Sequence, residues 1–138
     1  ALASLSACSV NPFALSQEAA GDHRARWSTS GIVDYEYVLD RACECTRETT
    51  RTMRVEVRGG SVTGATYRDT GESAAMANGY PTVEDLFDLI DDAIQRRAAG
   101  LTVAYDAALG YPTEITIDYD LEVADDEITI NASNLVPM

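Results

Sequence analysis

Hydrophobic and polar positions along this chain fall into a repeated order: one stretch of helical character, three alternating stretches, then the same again. Residues 16–31, SQEAAGDHRARWSTSG, read as a first helix with Ser16 as N-cap, Glu18 in the first turn and the Ser-Thr-Ser-Gly run as its stop. From about Ile32 to Glu44, Tyr35, Tyr37 and Leu39 alternate with Asp34, Glu36 and Asp40, the period-two signature of a strand whose odd positions face a core. Met53, Val55 and Val57 alternate in the same way with Arg54, Glu56 and Arg58, and Gly59-Gly60 then turns the chain into SVTGATY as a hairpin. The stretch DTGESAAMANGYP reads as a loop, and Trp27 as a large anchor packed on the sheet.

The second half opens with the strongest periodic signal. Thr82 and Asp85 form a capping box, while Val83, Leu86, Phe87, Ile90, Ala93 and Ile94 recur at helical spacing. Arg96 and Arg97 suit the negative end of that helix, and Gly100 is its expected stop. Leu101, Val103 and Tyr105 then alternate, AALGYP turns, Ile115, Ile117 and Tyr119 alternate again, and a last strand carries Ile128 and Ile130. Turns this short join antiparallel strands, because a parallel pair needs a long crossover. The pattern predicts an α+β fold: an antiparallel sheet of about six strands with two helices packed on one face, in the order helix, three strands, helix, three strands. Two tandem helix-plus-meander units sharing one sheet are the other arrangement this order allows.

Length and composition fit one domain, with 138 residues and 46% hydrophobic content supplying a core. Ten basic against 23 acidic residues give a net charge of −13, which repels the phosphates of nucleic acid and of anionic lipid and excludes nucleic acid as a partner class. No stretch reaches the ~20 apolar residues that a membrane-spanning helix needs.

Near the front, Leu5-Ser6-Ala7-Cys8 has the apolar, small, small, Cys order of a bacterial lipobox, with polar sequence after it. That resemblance implies lipidation at Cys8, residues 1–7 as a signal-peptide remnant, 8–15 as a tether and 16–138 as a single α+β domain. The expected location is the bacterial cell envelope, extracytoplasmic and lipid-anchored to the membrane. Setting Cys8 aside also leaves Cys43 and Cys45 as an even pair in an oxidising compartment.

YEYVLDRACEC, TVEDLFDLIDDAI and YDAALGYPTEITIDYDLEVADDE resemble a bacterial family of envelope proteins without an assigned function, the domain of unknown function numbered 6174. The likeness runs from about Trp27 to Asn134, and its most specific marks are Tyr105-Asp106, Gly110-Tyr111-Pro112 and Asp125-Asp126-Glu127. Glu44 departs from it, standing between the cysteines where the family would place an aromatic such as Phe. The resemblance implies an α+β lipoprotein and carries no activity with it.

Three groups of residues are candidate sites. Cys43 and Cys45 are two positions apart on a strand, so their Cα atoms lie about 6.6 Å apart at ~3.3 Å rise, at the edge of the ~4.4–6.8 Å that disulfides favour. A structural disulfide, buried thiols and a redox pair all stay open; zinc lacks ligands, since His23 is the single histidine. Asp118, Asp120, Glu122 and Asp126 fall at positions 1, 3, 5 and 9 of a calcium-type loop. Val123 and Thr129 stand where an EF-hand needs Gly and Glu, so only an irregular calcium site, or a solvated turn, fits. Tyr105, Tyr111 and Tyr119 form the third group, a candidate recognition surface or a set of core and turn residues.

No nucleophile elbow occurs and no catalytic residue is assigned. The expected function is a non-enzymatic binding or interaction module that meets an unknown envelope partner. The rivals are a redox or hydrolytic envelope enzyme using Cys43 and Cys45 or a carboxylate pair, and a calcium-dependent binding protein; apart from that calcium, no cofactor is expected.

Overall fold

A computed structural model describes residues 12–43, 50–120, 122 and 127–138. Alternation and helical spacing resolve into two α-helices, α1 (Pro12–Thr29) and α2 (Val83–Gln95), and six strands. The strands are β1 (Tyr35–Ala42), β2 (Met53–Arg58), β3 (Ser61–Tyr67), β4 (Gly100–Tyr105), β5 (Pro112–Asp118) and β6 (Glu127–Pro137), with a short 3-10 turn at Ala77–Gly79. They form one antiparallel sheet in the order β3-β2-β1-β6-β5-β4. Each half of the chain contributes a meander, and β1 and β6 pair at the centre to join the two. The expected α+β class and antiparallel sheet are therefore what the chain adopts.

Strand parity follows the alternation: Tyr35, Tyr37 and Leu39 on β1, Met53, Val55 and Val57 on β2, and Ile115 and Ile117 on β5 are all buried. Above them lie Val83, Leu86, Phe87, Ile90, Ala93 and Ile94 of α2, also buried. The capping box forms in both directions, with the Thr82 hydroxyl accepting from the Asp85 N–H at 3.1 Å and the Asp85 carboxylate accepting from the Thr82 N–H at 3.0 Å.

Three aromatic side chains with polar tips lock the start of α2 to the sheet. Tyr35 Oη accepts the Val83 N–H at 2.8 Å, Tyr37 Oη donates to the Pro81 carbonyl, and Trp27 Nε1 of α1 donates to Glu84 Oε1 at 2.9 Å. Trp27 stands edge-on to Tyr35 with 5.2 Å between ring centroids. Each ring thus buries a large apolar area and still satisfies its hydrogen-bonding atom.

Two helix ends differ from the sequence reading. α1 starts at Pro12, whose fixed φ suits a first helical turn, so Ser16 lies inside the helix rather than capping it. α2 stops at Gln95 rather than running to Gly100, which already belongs to β4. The stop is made by Arg97 at φ 53°, with the Arg97 N–H on the Ile94 carbonyl at 3.1 Å and the Ala98 N–H on the Ala93 carbonyl at 3.0 Å. That bonding pattern needs a left-handed residue and ordinarily uses glycine, so an arginine there gives no glycine signal to read.

α1 does not segregate apolar from polar residues cleanly, and it docks through Ala20, Trp27 and one close backbone approach. Gly110 has φ +89°, and a Cβ there would sit 2.5 Å from the His23 carbonyl oxygen. Asp106 shapes this turn by accepting the Ala108 and Leu109 N–H groups at 3.1 and 2.7 Å. Gly110→Ala is expected to cost about 2–4 kcal/mol, from the left-handed backbone plus the clash. Gly21, exposed in the middle of α1 with open space around it, behaves oppositely: Gly21→Ala should stabilise by about 0.5–1 kcal/mol. Urea titrations of the two variants read both signs.

Burial raises the phenols of Tyr35, Tyr37 and Tyr111 above the usual 10.0 and pushes Tyr105 up to about 12, with Asp91 adding to the effect at Tyr105. An unfolded chain releases these protons first, so this contribution is complete below pH 10 and is lost as pH climbs through the folded values. Denaturation midpoints should fall steeply between pH 10 and 12. A Tyr35→Phe, Tyr37→Phe double variant should flatten that slope and lower the neutral plateau by about 1–3 kcal/mol for each backbone group left unpaired.

Candidate functional site: the open face of the sheet

Both helices lie on one side of the sheet, which leaves the even-parity residues of β1 and β2 and their partners facing outward. Register assembles these into rows across strands: Thr66, Arg54, Val38 and Ser133 in one, Gly64, Glu56, Glu36 and Val136 in the next, and Asp40, Asn131, Glu114 and Ala104 in a third. Thr116 and Thr129 face each other with hydroxyl oxygens 3.3 Å apart, and Thr52 donates to Asp40. This is a hydroxyl-, carboxylate- and guanidinium-bearing surface on a strand scaffold.

Two adjoining concavities mark it. One, about 190 Å³, is bounded by Glu36, Tyr37, Val38, Arg54, Arg68, Asn134 and Val136. The other, about 240 Å³, shares Arg54 and Arg68 and adds Thr66, Tyr67 and Gly71. Asn134 is there because β6 bulges: the register passes from Val38↔Ser133 to Glu36↔Val136, and Asn134 takes φ 52°. Asparagine tolerates that conformation better than most residues, and the extra residue bends the strand at the wall of the hollow.

Charge singles out the same place. Residues 51–68 hold four arginines and one glutamate in a chain of net charge −13. Arg51 is paired with Asp69 at 2.7 Å, which holds the Asp69 carboxyl below its usual range, and Arg58 with Glu56 at 2.8 Å. Arg54 and Arg68 form no ion pair among the described residues and stand exposed on the shared wall of the two hollows. A pair of free guanidiniums offers planar, forked donors to an anionic or carbonyl-rich surface.

The sequence-predicted site residues do not gather here. Cys8, Cys45 and Asp126 lie outside the described residues. Cys43 follows β1 directly, half-buried and engaged rather than free. Asp118 ends β5 with one carboxylate oxygen buried and unpaired, and Asp120 accepts the Glu122 N–H at 2.9 Å in a local turn. Among the described residues no three His, Cys, Asp or Glu side chains are grouped as metal ligands. Tyr105 stacks on His23 at 4.0 Å, Tyr111 meets Trp27 at 6.1 Å, and Tyr119 lies at the far end of β5 under the Arg96 guanidinium at 4.3 Å, so the three tyrosines share no single surface.

The fold is thus a two-layer α+β sandwich with one sheet face uncovered. The model of a family of unknown function, DUF6174, matches residues 19–137, and the chain belongs to that family. None of the curated proteins matches it. Two of the marks quoted for the resemblance have structural work in this chain: Asp106 shapes the β4–β5 turn, and Gly110 with Tyr111 seats α1 on the sheet.

If Arg54 and Arg68 serve contacts outside the chain, removing them should leave the fold intact. Arg54→Ala and Arg68→Ala are each expected to change stability by less than about 0.5 kcal/mol, against about 1 kcal/mol lost in Thr82→Ala at the capping box. Thermal denaturation of the three variants side by side makes the comparison.

Proposed function

We propose that this chain is a non-enzymatic binding module of the bacterial cell envelope, held to the membrane by a lipid on Cys8 and meeting an envelope partner through the open face of its sheet. The observation that carries the reading is the pair of exposed arginines, Arg54 and Arg68, which form no ion pair among the described residues and stand at the junction of two hollows on the uncovered face. Polar groups on that face are spread along cross-strand rows instead of converging on one point, the arrangement suited to contacting a broad surface. His23, the one histidine, is on the other side of the sheet, stacked against Tyr105.

The lipobox supports the anchor, and so does charge. A body of net charge −13 is pushed away from anionic headgroups, so retention at a membrane calls for an acyl chain. A disulfide between Cys43 and Cys45 fits this compartment.

A photo-crosslinking amino acid placed in the lipidated protein in its host tests both parts. At Thr66, beside Arg54, it should yield a discrete adduct that disappears in the Arg54→Ala, Arg68→Ala background; at Gln95, at the exposed end of α2, it should yield none. Cys8→Ala should move the protein out of the membrane fraction. Equal labelling from both positions would defeat the open-face reading, and a Cys8→Ala protein that still fractionates with membranes would defeat the anchor.

A further inference from the structure

A second cavity lies in the other layer, between α2 and the sheet, at the end of the molecule where β1 finishes and β6 begins. It measures about 330 Å³, and its walls are mostly apolar, formed by Pro81, Leu86, Leu89, Ile128 and Ile130. That volume falls at the small end of the ~300–1,000 Å³ typical of pockets that take small molecules.

Arg41 makes this cavity more than a packing defect. It continues the inward parity of Tyr35, Tyr37 and Leu39, so a guanidinium occupies a position that the pattern of β1 reserves for the core. The residue is half-buried at the cavity wall, its guanidinium 5.5 Å over the Tyr80 ring, and among the described residues it has no ion pair or hydrogen bond. A partly desolvated cation that forms no ion pair gains from an anionic group delivered beside it, in direct hydrogen-bonding contact.

We infer that this cavity binds a medium-chain aliphatic carboxylate, its alkyl chain against Leu86, Leu89, Ile128 and Ile130 and its carboxylate on Arg41. A carboxylate matches the planar fork of the guanidinium with two parallel N–H···O bonds. Asp85 also borders the cavity, with Oδ2 taken by the Thr82 N–H. Its negative charge disfavours a dianionic phosphate head more than a singly charged carboxylate, and the volume suits one chain rather than the two of a membrane lipid. This site shares no residue with the open face and does not depend on the anchor.

Methyl NMR of the full chain, titrated with decanoate below its micelle concentration and separately with 1-decanol and acetate, tests the inference. Decanoate should shift the methyls of Leu86, Leu89, Ile128 and Ile130 and leave Val38 and Val136 on the open face unmoved; it should bind at least about tenfold tighter than decanol, and acetate should produce no such shift. Arg41→Met should bring decanoate down to the affinity of decanol, and Asp85→Asn should tighten it. If Arg41→Met fails to fold, Arg41→Gln carries the same expectation. Unmoved cavity methyls, or a decanoate affinity indifferent to the residue at 41, would overturn the proposal, whatever the crosslinking at Thr66 shows.

Discussion

The start of α2 is the point on which this architecture turns. A helix presents unpaired N–H groups at its first turn, and here the Thr82 hydroxyl accepts the Asp85 N–H within the capping box and the Tyr35 hydroxyl accepts the Val83 N–H from the central strand, while the Trp27 indole of α1 donates to the Glu84 carboxylate on the same turn. Tyr37 takes the Pro81 carbonyl just before it. Because these groups come from α1, β1 and the α2 cap, the helical layer and the sheet cannot shift relative to one another without breaking these bonds, and the Tyr35–Val83 bond is fully buried, where an unpaired polar group is most costly. Arg24 of α1 adds contacts to Asp88 and Asp91 of α2 at 2.9 and 3.2 Å, but these are partly exposed and contribute little beside the buried Tyr35–Val83 bond.

Much of this was legible in the sequence because it is written in short-range periodicities. The two-residue alternation of β1, β2 and β5 and the helical spacing from Val83 to Ile94 correspond to the buried faces, with Val38 of β1 the exception, buried although it stands on the outward side. Thr82 and Asp85 mark the helix start because the capping box is a local device. Ends governed by less usual residues were not legible: Arg97 supplies a left-handed stop without glycine, and Pro12 begins α1 ahead of the Ser that looks like a cap.

The candidate surfaces were harder to see for a different reason. Arg54 belongs to the outward row of β2 by simple alternation, but what distinguishes it from Arg51 and Arg58 is that it has no ion pair among the described residues, and pairing is decided by register across strands. Arg41 carries a fainter signal: the inward parity of β1 reaches a charged residue, a break in the pattern that points to something other than packing. Tyr105 and Tyr111 stand out in the sequence as aromatics near a Gly-Tyr-Pro turn, and their rings receive α1. Gly110 shows why that turn must have its sequence, since the backbone of α1 passes where a side chain would stand.

The pairing of β1 with β6 also governs how the chain can acquire its structure. Neighbours at the middle of the sheet are its first and last strands in chain order, so the contact that unites the two meanders closes the longest loop between paired strands. Contact order of this kind slows folding, and until residues 127–137 arrive β1 and β5 each carry a row of unsatisfied amides able to template misassembly. A polypeptide emerging N-terminus first therefore completes its sheet only after β6 has been delivered, and any cleavage that removes β6 turns a closed structure into two sticky half-sheets.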